Sequence, residues 1–156
     1  MICASCGGTI HVNESCRDCR IGYDEMLDSI SHDEMRRLFA KIESQGECCR
    51  NSDIEASLMA CELVSSSLII PAQVDGDSFG VVELPGPGGK RYIALCTDME
   101  EYHKGFDEIT PLTNSWRMIV KLLHKGCGGF LINPFGEACI IEMDFIKQFF
   151  GEDVEC

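Results

Sequence analysis

Nowhere does the chain hold a run of about 18 apolar residues, so no segment reads as a membrane-spanning helix. The amino terminus lacks the basic, apolar and small-residue succession of a signal peptide, which leads to the expectation of a cytoplasmic protein. Basic residues are scarce: 13 against 26 acidic ones, for a net charge of -13. That excess repels phosphate backbones and anionic lipid alike, which disfavours nucleic-acid and membrane partners. No strong basic patch offsets it, since Arg117, Lys121 and Lys125 are spaced as the solvated face of a helix. A phosphate-binding glycine loop is also missing: Pro85–Lys90 has the composition, but it joins two strands and reads as a hairpin. Neither a Ser/His/Asp set nor a His/carboxylate metal motif stands out.

What the chain has in quantity is cysteine. Its 156 residues fit one ordinary domain with a small appendage, and they include 11 cysteines. An odd number, without a secretion signal, points away from a disulfide framework and toward metal ligation in a reducing compartment. Cys3 and Cys6 form one Cys-x-x-Cys pair, Cys16 and Cys19 a second. Each pair can offer two thiolates from a tight backbone knuckle, and four thiolates close a tetrahedral shell around one structural zinc ion. Iron in a rubredoxin-like site and a redox Cys-x-x-Cys are the alternatives, the latter without the βαβ context it needs. His11 is an alternative ligand, although a surface histidine on a small hairpin over Thr9–Val12 is the simpler reading. Residues 1–22 carry no net charge and too little apolar material for a core, so the ion would supply the folding free energy of this module.

Residues 23–51 read as a helical segment. A short helix covers Tyr23–Ile30, and a second places Met35, Leu38, Phe39 and Ile42 on one face after a Ser31/Glu34 capping box. A Ser52/Glu55 box opens another helix to about Ser65, with Ile54, Leu58 and Cys61 on its buried face. Three strands follow, over Leu68–Val74, Phe79–Leu84 and Arg91–Cys96, parted by Asp75-Gly76-Asp77 and by the Pro/Gly run from Pro85. Pro71, lacking an N–H, is confined to an edge or a non-bonded slot. Asp98 caps a short helix whose Met99, Tyr102 and Phe106 face inward. Asp107–Thr113 is an extended link. A helix capped by Asn114 or Ser115 then runs through Lys125, burying Trp116, Ile119, Val120 and Leu123. Strands from Cys127 and over Ala138–Ile141, a helix over Met143–Phe150 and a frayed acidic tail complete the chain.

LIIPA at 68–72, YIALCTDMEEYHKGF at 92–106 and GGFLINPFGEACII at 128–141 resemble the SseB amino-terminal-domain family, associated with enhanced serine sensitivity. The resemblance covers about two thirds of the chain, residues 52–156. It implies an α/β domain of α+β character, with a single mixed sheet flanked by helices and no established catalytic activity. The Cys-x-x-Cys pairs lie outside that pattern and look like a fused module. By analogy with other α/β folds, Thr97, Asp98, Asn133 and Pro134 at the strand ends are the candidate binding surface, with Asn133-Pro134 first of all a turn. The resulting expectation is a non-enzymatic interaction or regulatory module with a protein partner, self-association being a further option. The alternative is a thiol enzyme using Cys127 or the vicinal Cys48-Cys49. For Cys127 the companion would be His124, but a helix end and a strand start need not bring the two side chains together. In predicted strands Cys96, Cys127 and Cys139 read first as small buried apolar residues.

Overall fold

The computed structural model describes residues 1–30, 61–63 and 67–150. The expected helices carrying Met35, Leu38, Phe39 and Ile42 and then Ile54 and Leu58, the Cys48-Cys49 pair and the acidic tail lie outside these. Among the described residues no helix is long and apolar enough to cross a membrane. Two knuckle loops lead into α1 (Tyr23–Ser29). β1 (Ser67–Asp75) turns back through Gly76, at φ 61°, into β2 (Ser78–Val81) and β3 (Glu83–Pro85). β4 (Arg91–Leu95), α2 (Met99–His103), β5 (Thr110–Ser115) and α3 (Trp116–Ile119) follow. β6 (Cys127–Ile132), β7 (Cys139–Glu142) and α4 (Met143–Phe150) complete the order.

The expected α/β class with α+β character is present, but the strands form two sheets where a single one was expected. One has the order β2-β1-β5 and is antiparallel throughout; the other, β3-β4-β6-β7, is mixed, with β4 and β6 parallel. The division falls at Val82, inside the second expected strand. Val82 donates its N–H to the Pro71 carbonyl (3.4 Å) and accepts at its own carbonyl from Ala94 (2.9 Å), so one segment serves β1 first and β4 next. Ile69 and Cys96 exchange both backbone hydrogen bonds, at 2.9 and 2.8 Å, tying the sheets together a second time. Pro71 stands between these contacts, in a central strand, opposite Pro111. Its carbonyl points toward Val82 and its nitrogen therefore the same way, so both prolines occupy non-bonded positions of the β1–β5 pairing.

β1 over Leu68–Ala72 and β4 over Tyr92–Leu95 are buried on both faces, which is why these stretches read as unbroken apolar runs. Leu68, Ile70, Ala72, Ile93 and Leu95 face one cluster with Trp116, Ile119, Phe130 and Phe145. The alternate residues Ile69, Ala94 and Cys96 face the other way, onto Cys3, Ile10, Cys16, Tyr23, Met26, Leu27 and Ile30. The cysteine-bearing segment is thus one of the layers covering the sheets.

The long helix expected from Asn114 to Lys125 is much shorter. Thr110–Ser115, which is the end of the expected Asp107–Thr113 link together with the two cap candidates Asn114 and Ser115, pairs with β1 over its whole length. α3 has four residues and passes into a 3-10 turn over Val120–Leu122. The expected stripe of Trp116, Ile119, Val120 and Leu123 is nevertheless buried, and Arg117, Lys121 and Lys125 are exposed. Leu123 reaches its place by turning extended (ψ 138°), so tertiary packing overrides helix propensity there. Cys61 is exposed rather than inward-facing, and Leu63 is the buried residue of that stretch.

Candidate metal centre

The two knuckles are the same structure used twice. Cys3 N–H donates to the Gly8 carbonyl at 2.7 Å and Cys16 N–H to Ile21 at 2.8 Å. Gly7 and Arg20 donate back to Cys3 and Cys16 at 2.9 and 3.0 Å. A single bridge closes each loop, Ile2 with Thr9 and Ser15 with Gly22. The small hairpin expected over Thr9–Val12 is absent, because the chain spends its pairing within each knuckle. Gly7 and Arg20 occupy equivalent positions with φ 78° and 67°. Glycine takes that conformation freely; at Arg20 the knuckle's hydrogen bonds hold a residue that resists it.

All four expected ligands converge. The Sγ atoms of Cys3, Cys6, Cys16 and Cys19 lie within 4.8 Å of one another, and the contacts between knuckles are 3.8 Å for Cys3–Cys19 and 3.6 Å for Cys6–Cys16. A tetrahedron with metal–sulfur bonds of about 2.3 Å has edges of about 3.8 Å, so the donor set fits one ion. The first cysteine of each pair is buried and the second exposed, so the centre is anchored in the core and open at the surface. His11 is exposed and stands outside this cluster.

The electrostatics also ask for a cation. Backbone N–H groups of Cys19 and Asp18 favour the Cys16 thiolate and lower its pKa to about 7. The Gly8 N–H, 3.4 Å from Cys6 Sγ, works the same way at Cys6. There, however, the neighbouring sulfurs and desolvation outweigh it and push the thiol up to about 12. Four thiols at this spacing cannot all ionise unless a positive charge is added, which a bound metal ion would supply.

The candidate binding residues form a closed network. Asn133 Oδ1 accepts the Thr97 N–H (2.9 Å), Asn133 Nδ2 donates to Thr97 Oγ1 (3.1 Å), and that hydroxyl donates to Asp98 Oδ2 (3.0 Å). Asp98 Oδ1 caps α2 by accepting from Glu101 N–H at 3.0 Å, as expected. Thr97, Asp98 and Asn133 are buried, and Pro134 is half-buried beside them. Asn133 adopts φ 55° and accepts the Gly136 N–H at 3.1 Å, so it builds the turn while latching two strand ends.

Cys96, Cys127 and Cys139 are buried, as their strand context implied. His124 and Cys127, however, do converge. With α3 ended early, His124 lies in a turn closed by a 3.1 Å bond from the Cys127 N–H to the His124 carbonyl. Glu83 joins them, and ligand atoms of the three lie within 4.8 Å. The Glu83 carboxylate lifts the His124 pKa above its ordinary value. Glu83 was missed from the sequence because it stands 41 residues from His124 and no local spacing marks it.

Compared with known proteins, the chain matches no family model, no curated protein and no solved structure.

Proposed function

We propose that this chain is a non-enzymatic, cytoplasmic interaction or regulatory module: an SseB-like α/β domain whose second face is covered by a cysteine-bearing segment held by one structural zinc ion. The carrying observation is the four-sulfur cluster, with tetrahedral spacing and two of its thiols in the core. A closed all-thiolate shell with no open position suits zinc in a structural role, and iron, which takes the same four-sulfur shell, is the alternative that metal analysis separates from it. The exposed tips of the knuckles, around Ser5–Gly7 and Arg17–Arg20, offer a surface bearing Arg17, Asp18 and Arg20 to a protein partner, while the acidic body turns anionic partners away. The buried Thr97–Asp98–Asn133 latch supports a scaffolding role for the strand ends. Against the thiol-enzyme reading, Cys127 is buried and its Sγ donates to the Gly129 carbonyl at 3.4 Å.

Affinity purification with the metal-loaded chain and with a Cys6→Ser, Cys19→Ser variant tests the reading. A partner recovered in stoichiometric amount by the former and lost with the latter is expected. Equal recovery by both, or activated-thiolate reactivity at Cys127, contradicts it.

A further inference from the structure

A second set of metal-ligating side chains lies away from the knuckles. Glu83 belongs to β3, His124 to the turn after α3 and Cys127 to the start of β6, and one ligand atom from each lies within 4.8 Å of the others. Their arrangement is supported from behind. His124 Nδ1 is 3.1 Å from the Lys125 carbonyl, which only accepts, so that nitrogen carries a proton and Nε2 is the ligating one. Nε2 faces Glu83 Oε1. A carbonyl that fixes the tautomer of an imidazole and aims its other nitrogen is the usual support of a histidine ligand. The other carboxylate oxygen, Glu83 Oε2, is 3.8 Å from Arg91 Nε, and Arg91 Nη2 donates to the Glu83 carbonyl at 2.9 Å. Glu83 is thereby held with Oε1 toward the imidazole. Gly126, at φ 91°, reverses the chain so that residues 124 and 127 reach the same point.

We propose that Glu83, His124 and Cys127 form a second metal site, separate from the four-cysteine centre, taking a divalent ion of borderline softness such as zinc or cobalt. One carboxylate, one imidazole and one thiolate make a mixed donor set that neither magnesium nor calcium favours. The ion takes the place of the proton shared by Glu83 and His124 and of the Cys127 thiol proton, whose 3.4 Å hydrogen bond to the Gly129 carbonyl is given up on binding. Three protein ligands leave a fourth position, and it opens to solvent because the His124 side chain is 53% exposed. The site thus differs in kind from the closed structural centre and has room for water or an exogenous ligand.

The test is a cobalt(II) titration of the reduced full chain, followed by absorption and by metal counting after desalting. The expected result is about two ions per chain, one with the spectrum of a four-sulfur site and one with a weaker sulfur-to-metal band. His124→Ala, a change at an exposed position, should weaken only the second ion by at least about 10-fold, and Cys127→Ser should remove its sulfur band. Cys6→Ser with Cys16→Ser should remove only the first, which separates failure at the knuckles from failure here. Saturation of the wild type at one ion that the Cys6→Ser, Cys16→Ser variant no longer binds, or a second ion whose affinity and spectrum are unchanged by both His124→Ala and Cys127→Ser, overturns the proposal.

Discussion

The hydroxyl of Tyr23 donates to the carbonyl of Pro111, joining the segment that carries the four cysteines to edge strand β5 across 88 residues of chain. Burial raises the tyrosine pKa, so the hydroxyl stays a donor throughout the ordinary pH range. Tyr23→Phe keeps the apolar contacts with the second cluster and removes this bond together with the weak 3.9 Å contact of the hydroxyl with Met1 Sδ. The expected loss of stability is about 1 kcal/mol, read from urea denaturation of the metal-loaded protein. No change would mean that the bond adds nothing to the docking of the segment.

Asn133 is placed to cost more. Asn133→Ala strips the Thr97 N–H of its partner in a buried setting, an expected loss of about 2 kcal/mol, and puts alanine at a left-handed φ for about 1 kcal/mol more. Asn133→Gly removes the same hydrogen bonds without the backbone strain and should be the milder of the two. Thermal denaturation of both variants checks the order.

Gly129 leaves no room for a side chain. A Cβ there would meet the Ile141 carbonyl oxygen at 2.0 Å, in neighbouring strand β7, and φ is 128°. Gly129→Ala is expected to destabilise by about 3 kcal/mol, or to prevent soluble expression.

Thiol reactivity should divide by burial. Desolvation pushes the Cys96 thiol up to about 12, so its thiolate is scarce at neutral pH, whereas Cys61 is exposed. Alkylation of the reduced, metal-loaded chain followed by peptide mapping should find Cys61 modified well before Cys96, with Cys3 and Cys16 protected until the metal is removed.

Much of this was legible in residue order. The knuckle ligands are set by spacings within 16 residues, and the Asp98 cap by a spacing of three. β1 and β4 announce themselves as apolar runs because both of their faces are covered. What residue order hid is what covers them. Tyr23, Met26 and Leu27 are plainly the apolar side of a helix, yet nothing local says that this side meets Ile69 and Ala94. The change of partner at Val82 is equally silent, since a residue that passes from one strand to another looks like any other. At His124 a convincing helical stripe was misleading, because Leu123 can be buried from an extended backbone and Glu83 awaits the imidazole from another strand.

The most direct test of the zinc assignment is elemental analysis of reduced, desalted wild-type protein beside its Cys6→Ser, Cys16→Ser double variant. Zinc lower by about one ion per chain in the variant, with weakened hydrogen-exchange protection at Ile69 and Cys96, is the expected result. Equal zinc in the two proteins, or no zinc in either, would contradict it.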